Sequence, residues 1–383
     1  MGNQEKYGVL LLGGHRTHQE NYAHLFVAEP RCRLIACSDE RDAPRDRVAL
    51  NRGLAEELSL PYIPDLDEAL ARDDVHIVSL CVENERRGRV GVKCAEAGKH
   101  LYLDKPLALN SADAAAIVHA VKKAGVRSQM FSNIHSPWAQ AARHALERGD
   151  IGELRAIHCD VLFAKGHAGS APIGRKRKEK PTVEQYTFIE AKREMFDIGV
   201  YAVSMVNWLT QKAVKTVFGT TANYFFKEHL ACDIEDFGTL MLTLEDDIIA
   251  TITGGRMGWM SHPQGGIQKL HLVGTHDTLT LDASLPHLKV FADEPAFQPP
   301  RPHSLDPMGM WRSTQIESGL PPKRLWISAS DEGNAQNLEI QAFVDCIEKG
   351  IESEMNAEMA AQSVAVITAG YQSAASGEVI QLE

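Results

Sequence analysis

Three stretches of the chain gather side chains that could do chemistry. In LYLDKPLALN, residues 101–110, a strand-like apolar run stops at Asp104 and is followed at once by Lys105 and Pro106. A lysine fixed by proline at the end of a buried strand is either an ordinary turn or an ammonium held for a ligand, and taken alone the turn is the commoner outcome. In FDIGVYAVSMVNWL, residues 196–209, Asp197 and Tyr201 offer a carboxylate and a phenol. A phenol near a lysine ammonium has its pKa lowered, which suits it to proton transfer at neutral pH. The periodicity of Val200, Val203, Met205 and Trp208, by itself, reads Tyr201 as a core residue instead. The third stretch, LLLGGHRTHQENYAHL, lies where a strand would turn into a helix. Of the glycines in the dinucleotide-binding pattern G-x-G-x-x-G only Gly13 is in register, with His15 and His18 in the other two places. A side chain at the second place obstructs the approach of a pyrophosphate, whereas His15, Arg16 and Thr17 could donate to phosphate beside a helix N-terminus. Asp39 follows at the distance expected of an acid that binds ribose hydroxyls, which favours NAD; Arg41 close by keeps NADP open.

The elements that would position these residues can be read from the pattern. From residue 7 to about 130, continuous apolar runs (YGVLLLG, RLIACSD, VHIVSLCV, HLYLD) alternate with helical stretches (QENYAHLFVAE, DLDEALAR, RVGVKCAEAGK, SADAAAIVHAVKKAG), the last with Ser111 as its expected N-cap. Such alternation predicts a parallel, Rossmann-type sheet covered on both faces, binding ligands beyond the carboxyl ends of its strands. After the helix ending GDIG come longer β-branched segments in partial alternation, which predict a mostly antiparallel open sheet. The expected division is residues 1–130 as a nucleotide-binding domain and 131–383 as an α/β domain for substrate and oligomer contacts. A polar, Pro-rich stretch from about 284 to 332 reads as a long functional or partner-binding loop, and two helices close the chain.

Composition narrows the function. With 383 residues the chain is long enough for two cores, and 40 basic against 51 acidic residues give a net charge of -11, which excludes a phosphate-backbone footprint. Nucleic acid is not an expected partner. The opening MGNQEKYGVLLLGG has no basic leader and too short an apolar run to cross a bilayer, so the expectation is a soluble, cytoplasmic protein with no membrane partner. Seven cysteines without a C-x-x-C pair or a close Cys/His cluster read as reduced, buried small hydrophobes, and no metal site is expected.

The run AEAGKHLYLDKPLALNSADAA resembles the Gfo/Idh/MocA oxidoreductases, the glucose-fructose oxidoreductase and inositol dehydrogenase family. The resemblance extends over almost the whole chain, through the GDIG helix, DIGVYAVSMVNWL and the closing AFVDCIEKG helix. It implies an NAD(H)-dependent oxidoreductase acting on a secondary hydroxyl of a sugar, cyclitol or related polyol, assembled as a homodimer or homotetramer through the C-terminal sheet. The family's Glu-Lys-Pro triplet stands here as Asp104-Lys105-Pro106, often with a cis bond, its lysine aimed at the substrate carbon beside the nicotinamide. Where many members carry Asp-x-Gly-x-His, this chain has Asp197, Gly199 and Tyr201, as in the glucose-fructose oxidoreductase branch, which implies catalytic roles for Lys105, Asp197 and Tyr201. Cofactor contacts are implied for Asp104, Lys105 and the CVENERR loop, with Cys81 and Glu83 at the positions concerned, although Val82 and Arg87 replace the family's proline and histidine there. His135, Lys165 and Arg193 join Lys105, Asp197 and Tyr201 as substrate-side candidates, Arg193 within Ala191-Lys192-Arg193-Glu194 where glycines are common. Two other readings stay open: a redox-neutral glycoside cleavage with transient sugar oxidation by tightly held NAD, and a non-catalytic nucleotide- or sugar-binding relative.

Overall fold

The computed structural model describes residues 6–164, 177–182, 192–257, 266–282, 287–292, 323–328 and 335–382. Strands β1 (Tyr7–Leu12), β2 (Cys32–Ser38), β3 (Tyr62–Ile63), β4 (Ile77–Leu80), β5 (His100–Leu103) and β6 (Ser128–Met130) form the first sheet. They are parallel, in the order β3-β2-β1-β4-β5-β6. Leu10, Leu11, Leu12, Ile77, Val78 and Leu80 are fully buried, as expected of strands covered on both faces. Helices α1 (Gln19–Ala28), α2 (Arg45–Glu57), α3 (Leu66–Leu70), α4 (Asn84–Glu96) and α5 (Ser111–Ala124) supply the crossovers. The N-cap of α5 is Asn110 rather than Ser111: its side chain accepts from the Asp113 amide at 2.8 Å. Because the strand order reverses between β1 and β4, the connections leave these two strands in opposite directions and open a crevice at their carboxyl ends.

Helix α6 (Pro137–Glu147) leads to the second, nine-stranded sheet: β7 (Leu154–Phe163), β8 (Val214–Ala222), β9 (Phe237–Leu244), β10 (Ile249–Arg256), β11 (Gly266–Gly274), β12 (Thr278–Asp282), β13 (His287–Ala292), β14 (Lys323–Ser328) and β15 (Ile380–Gln381). All its pairs are antiparallel except β7 with β10, so it is mixed but mostly antiparallel. Strands β13 and β14 fall inside the stretch read as a long loop; they pair with each other and extend the sheet, and the rest of 284–332 lies outside the described residues. One face of the sheet is packed by α7 (Val200–Thr210) and α10 (Ala357–Ser376). The other carries Met241 and Ile249, about half exposed at 51% and 49%. The short α8 (Lys227–Ala231) and the long α9 (Ala335–Lys349) complete the elements, and no helix among the described residues is long and apolar enough to cross a membrane. The cysteines are free; five are buried, but Cys232 is exposed and Cys346 half-buried, so not all of them are core hydrophobes.

The end of the chain returns to the first sheet. Phe343 of α9 packs on Tyr102 with ring centroids 5.7 Å apart, Arg31 donates to Asp345 at 2.7 Å and to Glu348 at 2.9 Å, and the Met130 amide donates to the Met355 carbonyl at 2.9 Å. Glu339 is buried among these contacts, where Gln129 donates to its carboxyl at 3.1 Å. Burial pushes this carboxyl up to about 8, against the opposing pull of the His135, Asn133 and Ser132 amides and of Gln129. The folded state therefore holds a proton that the unfolded chain has released, so the favourable contribution is complete below the ordinary glutamate pKa and is lost as pH rises through 8. Urea unfolding at pH 5.5 and 8.5 should show the stability falling with pH by on the order of a few kcal/mol, and Glu339→Gln should flatten most of that fall.

Candidate active site

Strand β5 ends at Leu103 and hands the chain to Asp104, Lys105 and Pro106 at the mouth of the crevice, with a cis Lys105–Pro106 peptide. The turn is clamped from three sides. The Asp104 carboxylate accepts from Tyr22 at 2.9 Å and from Arg87 at 3.2 Å, and meets His18 Nδ1 at 2.7 Å. Arg87 also donates to the carbonyls of Asp104, at 2.9 Å, and of Pro106. Burial would raise the Asp104 carboxyl, but His18, Arg87 and Lys105 outweigh it and hold the group well below the usual carboxylate range. Asp104 is a permanent anion that fixes the turn.

Lys105, 3% exposed, donates to both the carbonyl and Oδ1 of Asp197, each at 2.6 Å. Asp197 comes from a π-helical turn, Met195–Gly199, that leads into α7. This turn lies so close to β10 that a Cβ on Gly254 would sit 2.5 Å from the Gly199 Cα, and only glycine leaves room for it. The second carboxylate oxygen, Oδ2, accepts from Arg256 at 3.1 Å; Arg256 Nε donates to Glu194 at 2.9 Å, and the buried His229 meets the same glutamate oxygen at 2.9 Å. Burial opposes ionisation of Asp197, yet Lys105, Lys192 and Arg256 drive its carboxyl well below the ordinary range.

The pair borders a cleft of about 310 Å³. Arg16, Thr17 and His18 line it from the β1–α1 turn, Arg47 from α2, Cys81, Val82, Glu83, Asn84 and Arg87 from the end of β4 and the start of α4, and Lys192 from just before the Asp197 turn. Gly13 adopts φ +103°, and a Cβ on it would lie 2.8 Å from the Cys81 carbonyl, so the turn hugs the end of β4 and brings Arg16, Thr17 and His18, ahead of α1, to the cleft. Cationic donors at this turn, a helix N-terminus and a cleft at the sheet's switch point fit a dinucleotide diphosphate despite the missing second and third glycines.

Arg16, Thr17, Cys81, Glu83, Asp104, Lys105 and Asp197 converge on the cleft. His15 turns away to Glu20 and Glu57, at 3.2 and 3.4 Å. Asp39 is buried with both oxygens engaged, by Arg86 at 2.7 and 3.1 Å and by Asn51 at 2.8 Å; Arg41 is 79% exposed and paired with Asp65. Tyr201 is a neighbour of Lys105, but the ammonium lies 5.1 Å from the centre of its ring. The expected lowering of its pKa is reversed: burial, with the charges of Asp104, Asp197 and Glu339, drives the phenol well above its ordinary value. Arg193, expected at the substrate, points instead into a buried network with Glu179 at 2.8 Å and Glu235 at 3.2 Å, where it supplies the cation for Glu235 and joins Arg177 on Glu179. His135 sits on the loop after β6 with a buried Nε2 and does not line the cleft. Lys165 lies outside the described residues. The sequence reading passed over His18 as a cleft residue, and also Tyr22, Arg47, Lys192 and Arg256; for these the only local signal was the basic character of the segments around Arg16 and Lys192.

Two family models match the chain: "Oxidoreductase family, NAD-binding Rossmann fold" over residues 8–132 and "GFO/IDH/MocA C-terminal domain" over residues 139–280. Among curated relatives, scyllo-inositol 2-dehydrogenase (NAD(+)) of Bacillus subtilis is 27% identical over 40% of this chain and 43% of its own. D-apiose dehydrogenase of Paraburkholderia graminis is 24% identical over 95% of this chain and 86% of its own. The chain spans less than half the length of the first curated relatives it matches. A solved levoglucosan dehydrogenase, in complex with NADH and levoglucosan, shares the fold with a TM-score of 0.73 and 15% identity, covering 98% of this chain and 99% of the other.

The ion pair at the centre of the site sets a stability expectation. Asp197→Asn leaves the Lys105 ammonium buried without its counter-charge and should cost about 3–5 kcal/mol in urea unfolding, whereas the double variant Lys105→Met/Asp197→Leu should recover at least half of that. Replacing the exposed pair Arg148 and Asp150 by alanines should cost less than about 1 kcal/mol.

Proposed function

Because the chain belongs to the Gfo/Idh/MocA oxidoreductase family, with an NAD-binding Rossmann fold at its N-terminal end, we propose that it is an NAD(H)-dependent oxidoreductase acting on a secondary hydroxyl of a sugar, cyclitol or related polyol. The observation that carries this reading is the Lys105 ammonium, buried, anchored on Asp197 and set at the edge of the cleft. An ammonium has three N–H groups; two go to Asp197, and the third is left for a substrate oxygen. When bound, the nicotinamide accepts or supplies the hydride. Lys105 steadies the negative charge that develops on the substrate oxygen, gives that oxygen a proton in the reducing direction and takes it back in the oxidising one. Asp197 stays ionised throughout and holds the lysine in place, while the Tyr201 ring forms a wall beneath the ammonium rather than a proton donor.

Names among the relatives, inositol, apiose and levoglucosan dehydrogenases, support the polyol class. Residues up to 130 form the nucleotide-binding domain in this reading, and the half-exposed Met241 and Ile249 on the open face of the second sheet support assembly into a dimer or tetramer through that face. Free cysteines fit a reducing, cytoplasmic setting.

Calorimetric titration with NADH and NADPH, after the purified protein has been checked for retained nucleotide, should show NADH bound in preference. Folded, nucleotide-free protein that binds neither would overturn the reading. With a substrate in hand, Lys105→Ala should lower turnover by about 100-fold or more while NADH affinity moves less than about threefold; equal loss of both would make the lysine structural.

A further inference from the structure

Among the described residues, the charges at the reacting end of the cleft do not balance. Lys105 closes Oδ1 of Asp197 at 2.6 Å, Arg256 closes Oδ2 at 3.1 Å, and Glu194 takes the other side of Arg256 at 2.9 Å. On the facing wall Asp104 is matched by Arg87, with His18 and Tyr22 on its remaining lone pairs. Each carboxylate described there thus has a cation within hydrogen-bond reach, and Lys192, which adds only a long ion pair to Asp197, is one cation more than these carboxylates. Its ammonium is 3.8 Å from Asp197 Oδ1, beyond hydrogen-bond reach, and its side chain is 33% exposed and lines the cleft. A surplus ammonium beside Lys105 and Arg256 in a partly dehydrated cleft is unfavourable until an anion joins it, and an oxidised nicotinamide would add one more positive charge.

We infer that the substrate is anionic, a sugar acid or a polyol bearing a carboxylate, and that Lys192 is the residue that selects it; this rests on the oxidoreductase reading. The geometry allows one molecule to reach both lysines. Lys105 and Lys192 approach the same carboxylate oxygen at 2.6 and 3.8 Å, so their nitrogens are separated by no more than those two lengths laid end to end. That is roughly the reach of a few bonded carbons, the separation between a ring hydroxyl and the terminal carboxylate of a uronic acid. The diphosphate of the cofactor has its own donor in Arg16 at the β1–α1 turn, while Arg47 from α2 is held by Glu83 and by the His15 carbonyl at 2.8 Å.

The test titrates NADH-loaded protein calorimetrically with matched pairs that differ only at the terminal carbon: glucuronate with glucose, galacturonate with galactose, mannuronate with mannose. At least one uronate should bind 30-fold or more tighter than its neutral partner, with an affinity that weakens as salt rises. Lys192→Met should erase the preference and leave NADH affinity within twofold, and Lys192→Arg should keep it. Equal binding within every pair, binding of no uronate, or a loss of NADH affinity in Lys192→Met as large as the loss for uronate would each overturn the inference. NAD reduction is scored separately. A uronate that binds through Lys192 without reducing NAD supports the anionic site while removing the dehydrogenase reading, and NAD reduction by neutral sugars without preference does the reverse.

Discussion

The buried ion pair between Lys105 and Asp197 joins the end of a strand in one sheet to a helical turn packed on the other, and the arrangement of the site follows from it. Two charges taken out of water stabilise a fold only weakly, because desolvation offsets most of their attraction. They do restrict it, since any displacement of one sheet relative to the other separates an ammonium from a residue that accepts from it twice. The neighbouring contacts protect that geometry from both ends. Arg87, His18 and Tyr22 fix the lysine's turn through Asp104, and Arg256, held by Glu194, fixes the carboxylate.

This arrangement also decides what each group can contribute. Asp104 and Asp197 are held as anions by surrounding cations and are poor proton acceptors near neutral pH. Tyr201 is surrounded by Phe131 and Phe163 with the ammonium over its ring, so it contributes shape and a negative π-face rather than an acidic hydroxyl. Asp39 already has a guanidinium across both of its oxygens, so a ribose would meet a preformed Asp39–Arg86 unit in place of a bare carboxylate.

Much of this was legible in the sequence wherever burial alone dictates the pattern. The apolar runs of β1, β2, β4 and β5 could belong only to strands covered on both faces, and Lys105 beside Pro106 could be singled out because charge seldom follows such a run. Helix α2 was not read: RDRVALNRGLAEE is polar, contains a glycine and buries only Asn51, Leu54 and Ala55, so little apolar periodicity betrays it. Strands β13 and β14 were hidden by the polar, Pro-rich sequence around them. The surroundings of two site candidates were not legible for one cause. Arg193 and Tyr201 were picked by their place in the family pattern, but the carboxylates around them, Glu179 and Glu235 for one and Asp104, Asp197 and Glu339 for the other, come mostly from distant parts of the chain.

The return of α9 and α10 to the first sheet bears on the order in which the molecule can be completed. Strand β6, the edge that carries Ser128 and Met130, hydrogen-bonds to Ala357 and Met355, and Tyr102 in the middle of β5 is covered by Phe343. A ribosome emits these covering residues after the whole of the second sheet except β15. The nucleotide-binding half therefore waits, with an open edge and an uncovered aromatic, until almost all of the second sheet has been made, and the two sheets mature as one unit.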